Sequence, residues 1–410
     1  MTKSHNENSV IEGKNPLEMQ AYSASFGCKT LAEEFLEEHY EFRRNVLRDI
    51  VEYKKVSEDN SLWRPLTKAA LNSICLHSKH ELGEDVDIKS DIKMVVDSEE
   101  PLHYDPINDW LDSLPEWDGK DRVVDFWKRI PGLSAEQIYF LSIWLRSVVA
   151  HWKGVDTEHG NECVPLLIGD QGIGKTTFCL RFLPPQLRMY LLDHFNLANK
   201  FDKEMALTNC LIIILDEFDS YTMKQQAHIK QALSKSQVNA RKIFGSVIDV
   251  KHRYASFFAT TNCRRPLQDP TGSRRYITIE TPAGEHLDNQ TPIDYEQLYA
   301  QVVYELTVKK ERFWFNNDET EQILRLNAPY EQVASLEMMI ETLYRKPKDD
   351  EKCVYVTTKD IRATMKKRFP TVDDKTLNSI SIGKAMRELE FEKVRHSNGF
   401  VYPVVQEAGS

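Results

Sequence analysis

The residues with the clearest chemical potential run from Val164 to Arg181: Val-Pro-Leu-Leu-Ile-Gly169-Asp170-Gln171-Gly172-Ile173-Gly174-Lys175-Thr176-Thr177-Phe-Cys-Leu-Arg. The stretch matches G-x-x-x-x-G-K-[ST], a pattern for cradling phosphates. Gly169, Gly172 and Gly174 free the backbone to bend, so that successive N–H groups, those of Asp170, Gln171, Ile173 and Thr177 among them, converge on phosphate oxygens. A helix beginning near Lys175 would aim its positive end at the same point. The Lys175 ammonium would neutralise β- and γ-phosphate charge, and the Thr176 hydroxyl would ligate Mg²⁺.

Three further groups follow along the chain. Leu211–Leu215 is an apolar run ending in Asp216 and Glu217. Carboxylates at the C-terminal edge of a strand sit beside the loop of a neighbouring strand. Asp216 would hold the metal shell and Glu217 would polarise an attacking water as general base. A second apolar run, Ala255–Thr260, ends in Thr261 and Asn262. The Asn262 amide would orient water or the γ-phosphate, or simply cap a turn. Arg274 and Arg275 come just after the turn Pro270-Thr-Gly272. Either could reach a neighbouring subunit's γ-phosphate or remain an ordinary surface arginine, and the residues alone do not separate the two.

These groups require a scaffold that brings strand ends together. Residues 163–282 alternate short apolar runs with amphipathic stretches, the pattern of an α/β fold. Unbroken runs such as Val164–Ile168 suit parallel strands covered on both faces. Ahead of them, residues 121–153 read as two helices broken at Pro131-Gly132, expected to form a helical collar over 101–158. Residues 29–55 fit one helix face or two short strands equally well, and residues 64–83 look helical. Residues 295–345 read as charged helices. Residues 353–405 read as strand, helix, helix and a hairpin turning at Ser397-Asn398-Gly399, the order of a winged helix-turn-helix. The domain expectation is a disordered segment over 1–25, a small α+β region over 26–100, the collar over 101–158, the nucleotide domain over 159–335 and the winged-helix-like domain over 340–405.

Composition narrows the field. The chain has 410 residues and a net charge of −10, which argues against coating nucleic acid wholesale but leaves room for a local basic channel. No run of 18 apolar residues spans a membrane, and the first 20 residues lack an apolar signal core. The seven cysteines form no C-x-x-C pair and suggest no metal site, consistent with reduced thiols in a cytoplasmic setting.

The order of these motifs, with Trp117-Asp-Gly-Lys-Asp-Arg122 ahead of them, resembles the virulence-associated E family of mobile-element proteins. The resemblance implies a P-loop ATPase core close to superfamily 3 helicases within the AAA+ group, using ATP and Mg²⁺. It implies a role in replication of phages, plasmids or islands, and a homo-oligomer, expected as a hexameric ring on single-stranded DNA. Many relatives carry an upstream primase domain. Here the N-terminal part has no zinc-ligand spacing and no carboxylate triad for priming. The superfamily 3 pore hairpin would fall in 239–253, with Arg241 and Lys242 tracking phosphates and Phe244 stacking on a base. The same stretch also reads as a structural hairpin with a solvated charged face. On the winged-helix-like domain, Lys384 and Arg387 would meet duplex phosphates, with Lys393, Arg395 and His396 on the wing. Two other functions share these motifs: an ATP-gated helicase loader or regulatory switch without translocation, and a P-loop small-molecule kinase. Glu217 and Asn262 favour hydrolysis over the kinase.

Overall fold

A computed structural model describes residues 29–57, 62–83, 88–98, 101–155, 160–195, 199–241, 248–268, 273–331, 336–348, 351–369, 372, 374, 376–396 and 399–406. The expected disordered segment over 1–25 lies outside these residues. The chain divides into two compact units, the first ending at Ser113 and the second starting at Leu114.

In the first unit the stretch 29–55 is both helix and strands. Helix α1 (Leu31–His39) opens on a capping box between Thr30 and Glu33 and gives way directly to strand β1 (Tyr40–Asn45). Strand β2 (Ile50–Lys55) returns antiparallel, and β3 (Arg64–Pro65) follows. Helices α2 (Lys68–Leu82) and α3 (Lys89–Asp97) precede β4 (Leu102–Tyr104), which pairs parallel with β1, and α4 (Pro106–Asp112). Ala32, Phe35 and Leu36 of α1 share a core with Ile74 and Cys75 of α2 and Ile92 of α3. Since β4 belongs to this sheet, the opening of the expected collar falls within the first unit.

The second unit begins with α5 (Arg122–Trp127) and α6 (Ala135–Trp152). Twelve of the 18 residues of α6 are buried, and a helix apolar on nearly all sides needs cover all round. Its Trp144 ring lies 4.7 Å from Phe258, and the Trp144 indole N–H donates to the Cys163 carbonyl at 2.8 Å. Trp152 stacks on Tyr299. These helices therefore pack over a sheet.

That sheet comprises β5 (Val164–Ile168), β6 (Leu191–Leu192), β7 (Ile212–Leu215), β10 (Ser256–Thr261) and β11 (Tyr276–Glu280). The order is β11-β5-β10-β7-β6, and every pairing is parallel. Every residue of β5, β7 and β10 is buried, as strands covered on both faces must be. Helices α7 (Lys175–Leu180), α8 (Lys200–Asn209) and α9 (Met223–Leu233) intervene between strands. The antiparallel pair β8 (Gln237–Arg241) and β9 (Ile248–His252) forms a separate ribbon. Arg253, just after this ribbon, is fully buried and donates to the carbonyls of Asn161, Ala232, Leu233, Lys235 and Ala255. Burial pulls its pKa down to about 9. Arg253 is thus a fold-locking group, not part of a solvated basic face.

Helices α10 (Tyr295–Thr307) and α11 (Asn317–Asn327) follow the sheet. The last elements are α12 (Leu336–Leu343), β12 (Tyr344–Arg345), β13 (Val354–Val356), α13 (Thr358–Arg368), α14 (Ser379–Glu388), β14 (Val394–His396) and β15 (Gly399–Gln406). Strand β15 pairs antiparallel with β12, β13 and β14. Ile361, Met365, Ile382 and Met386 pack beneath it in a core of their own. Among the described residues no helix is long and apolar enough to cross a membrane.

Candidate functional site

The loop between β5 and α7 bends where its glycines allow it. Gly172 and Gly174 have φ of 85° and 92°, the left-handed region that glycine enters at little cost. At Gly174 an added Cβ would meet the Asn289 Nδ2 at 2.4 Å. That amide nitrogen donates to the Gly174 carbonyl at 2.9 Å, and the Leu287 N–H donates to the Ile173 carbonyl at 3.0 Å. The segment after β11 therefore braces the loop from outside. Asn289 carries no sequence signal of this contact, being a lone Asn in a polar stretch. Ile173 turns its side chain into the core, and the Asp170 side chain is exposed.

Lys175 is buried, and its ammonium donates to the carbonyls of Gly169 at 2.8 Å and Asp170 at 2.7 Å and to the Asn262 Oδ1 at 2.8 Å. Burial lowers its pKa, while Asp216 and Asp170 resist the shift. The Thr176 hydroxyl donates to the Asp216 carboxylate at 3.2 Å, and so does the Thr260 hydroxyl. The Thr261 hydroxyl donates to Asp219. Glu217 is exposed and has φ of 50°, a left-handed conformation costing about 1 kcal/mol for a residue with a Cβ. Helix α7 has only six residues, so its macrodipole is small and the loop amides carry the positive potential.

Sheet order explains the meeting of these groups. The Asp216-Glu217 strand β7 is not the immediate neighbour of β5, because β10 lies between them. Two strand spacings, ~9.6 Å, separate β5 from β7, and the loop bridges that gap by curling over the end of β10. Thr260, Thr261 and Asn262 therefore enter the same cleft. The resulting cavity of about 280 Å³ is lined by Gln171 to Thr177 (Ile173 excepted), Asp216, Glu217 and residues 260–262. The Thr176 and Asp216 oxygens are hard donors, and their separation is near the ~3 Å between adjacent ligands of an octahedral Mg²⁺.

The two arginines separate clearly. Arg275 has a side chain 8% exposed, donates to the Ser234 hydroxyl at 3.0 Å and pairs with Glu162 at 3.5 Å. Arg274 is 50% exposed and reaches Glu162 only at 4.0 Å. Of the candidate nucleic-acid residues, Lys242 and Phe244 lie outside the described residues, and Arg241 closes β8. Lys384 and Arg387 are exposed on α14, Lys384 near Glu388 at 3.6 Å. Lys393 lies over the Phe400 ring, and Arg395 and His396 are exposed on β14.

The Trp117–Arg122 motif has a structural task. Arg122 makes a bidentate pair with Asp118 at 2.6 and 2.8 Å, and its Nε donates to Asp294 at 3.1 Å. The pairing holds Asp118 down at a pKa of about 2. Gln301 of α10 accepts the N–H groups of Arg122 and Val123, and Asp121 caps α5. The motif thus stitches the start of the second unit to α10.

No curated protein matches the chain. Among solved structures it is similar to two apo forms of the NrS-1 C-terminal region. One has a TM-score of 0.44 at 11% identity, covering 92% of this chain and 98% of that chain. The other has a TM-score of 0.45 at 12% identity, covering 92% and 99%. The family model of the virulence-associated protein E-like domain matches residues 111–332, more than half of the chain. The chain therefore belongs to the virulence-associated protein E-like family.

Proposed function

We propose that this protein is an ATPase that acts on DNA in the replication of a mobile element, with a P-loop at 169–176. The observation that carries the reading is the convergence of the loop, Lys175, Thr176, Asp216, Glu217 and Asn262 on one cavity at the C-terminal edge of the parallel sheet. Bound between Thr176 and Asp216, Mg²⁺ would neutralise phosphate charge. The loop amides and Lys175 bind the triphosphate, exchanging contacts with loop carbonyls for contacts with phosphate oxygens. Asn262 orients the γ-phosphate, and Glu217 takes a proton from the attacking water.

Among the described residues no arginine lines the cavity. An exposed Arg274 is free to serve a neighbouring subunit's site, whereas Arg275 is committed to its own fold. This supports a ring in which each site is completed by the next copy. Arg274→Ala is expected to lower turnover ~10³-fold with an unchanged melting temperature. Arg275→Ala is expected to lower the melting temperature by several degrees, as the removal of a buried hydrogen-bonded charge does. Mixing Arg274→Ala with Lys175→Ala subunits should restore part of the hydrolysis, because the second variant supplies the arginine to the first. No recovery in mixed rings would rule out the shared site.

The DNA role is tested by measuring ATP turnover with and without single-stranded DNA beside a strand-displacement assay. Turnover stimulated by DNA and coupled to displacement supports a helicase motor. Stimulated turnover without displacement marks a loader or switch. Absence of hydrolysis under both conditions contradicts the reading.

A further inference from the structure

The first unit carries a cluster that the nucleotide chemistry does not use. His39 ends α1, and His77 and Glu81 stand one turn apart on the same face of α2. The His39 Nε2 lies 2.9 Å from one Glu81 carboxylate oxygen, and the His77 Nε2 lies 3.4 Å from the other. The three donor atoms all fall within 4.8 Å of one another. Ligands of a tetrahedral zinc with bonds of ~2.0–2.1 Å stand about 3.4 Å apart, so small side-chain rotations would close this set around an ion.

We propose that His39, His77 and Glu81 bind a divalent transition-metal ion, zinc by the chemistry of the donors. Two imidazoles and one carboxylate form the His₂Glu set that zinc takes with a fourth position left to water. The cluster also has the outer support such sites need. The Tyr40 hydroxyl lies 2.9 Å from the His77 Nδ1. With metal bound, Nδ1–H donates to that hydroxyl and Nε2 keeps its lone pair for the ion. Phe35 forms one wall, its ring 4.8 Å from His39 and 5.3 Å from His77. The imidazoles and carboxylate remain partly exposed, at 23%, 42% and 39%, so an ion can enter.

The sequence of this region carries no zinc-ligand spacing that would announce the cluster. His77 and Glu81 spell H-x-x-x-E, a short and unspecific signal, and His39 is far away in sequence. Only the packing of α1 on α2 through Phe35, Ile74 and Cys75 brings the third ligand in. An ion there would staple the end of α1 to α2. The site belongs to the first unit and does not depend on the ATPase assignment.

The test uses the full chain, stripped with chelator and titrated with Zn²⁺ by calorimetry and with Co²⁺ by visible absorption, without nucleotide. The expected result is one equivalent of Zn²⁺ and the intense visible bands of four-coordinate Co²⁺. Both should be lost in His39→Gln/Glu81→Gln, with metal affinity falling roughly a hundredfold or more. Zinc should also slow amide exchange in 31–39 and 68–82 of the wild-type chain. The melting curve of the metal-free variant, compared with that of the metal-free wild type, verifies folding. If the variant does not fold, the location of exchange protection in the wild type decides the matter. Absence of zinc binding at tens of micromolar would overturn the proposal. So would binding that persists unchanged in the folded variant, or protection elsewhere than in these helices.

Discussion

Lys175→Ala is expected to weaken ATP binding by at least about a hundredfold while the chain stays folded. The ammonium is already fixed by three hydrogen bonds that it donates, to the Gly169 and Asp170 carbonyls and the Asn262 Oδ1, in a buried setting. A charge held in place with little water around it interacts strongly with an incoming phosphate. Truncating one partner of such a buried charge pair costs about 2–5 kcal/mol, and ~2.8 kcal/mol is a hundredfold in affinity. The substitution also leaves the Asn262 oxygen and two carbonyls without their donor, a stability cost of about 1–3 kcal/mol that a folded unit of this size tolerates. Titration of a fluorescent ATP analogue, with a melting curve alongside, measures both effects. Affinity within a few-fold of wild type would remove Lys175 from the phosphate site.

Glu217→Gln is expected to separate binding from turnover. Glu217 projects from an exposed, left-handed position directly after Asp216, where no other described acid lines the cavity besides Asp216 itself. Glutamine keeps the shape and tolerates the same φ about as well, but cannot accept the proton of an attacking water. Loss of a general base lowers turnover by ~10²–10⁴. Binding of Mg²⁺ and ATP should stay within a few-fold, because Asp216 and Thr176 are untouched. Phosphate release beside equilibrium binding gives the comparison. Turnover close to wild type would place the base at another residue.

The fold was legible where one physical cause dominates. Strands covered on both faces favour apolar runs, so β5 and β7 stand out whole, while β10 shows through Phe257, Phe258 and Ala259, with Ser256, Thr260 and Thr261 buried beside them. Positions set by tertiary packing left weaker traces. Nothing local to residues 211–217 records that β10 would separate β7 from β5. Arg274 and Arg275 are adjacent, and only the turn at Ser273–Arg275 decides that one is buried and the other exposed. Arg253 looks like part of a basic stretch, yet its five carbonyl partners come from segments scattered over residues 161–255. Helix α6 shows helical spacing, but burial of two thirds of its residues, rather than that spacing, makes it a layer over the sheet. The loop's support by Asn289 is a single side-chain contact across more than a hundred residues.

On the proposed mechanism a triphosphate lies in the loop with its metal between Thr176 and Asp216. A crystal structure of the full chain with Mg²⁺ and a non-hydrolysable ATP analogue tests it most directly. Phosphate oxygens are expected within hydrogen-bond reach of the amides from Gly172 to Thr176, with the ion between Thr176 and Asp216 and Lys175 turned from the loop carbonyls toward the phosphates. An analogue bound elsewhere, or phosphates lying outside this loop, would contradict it.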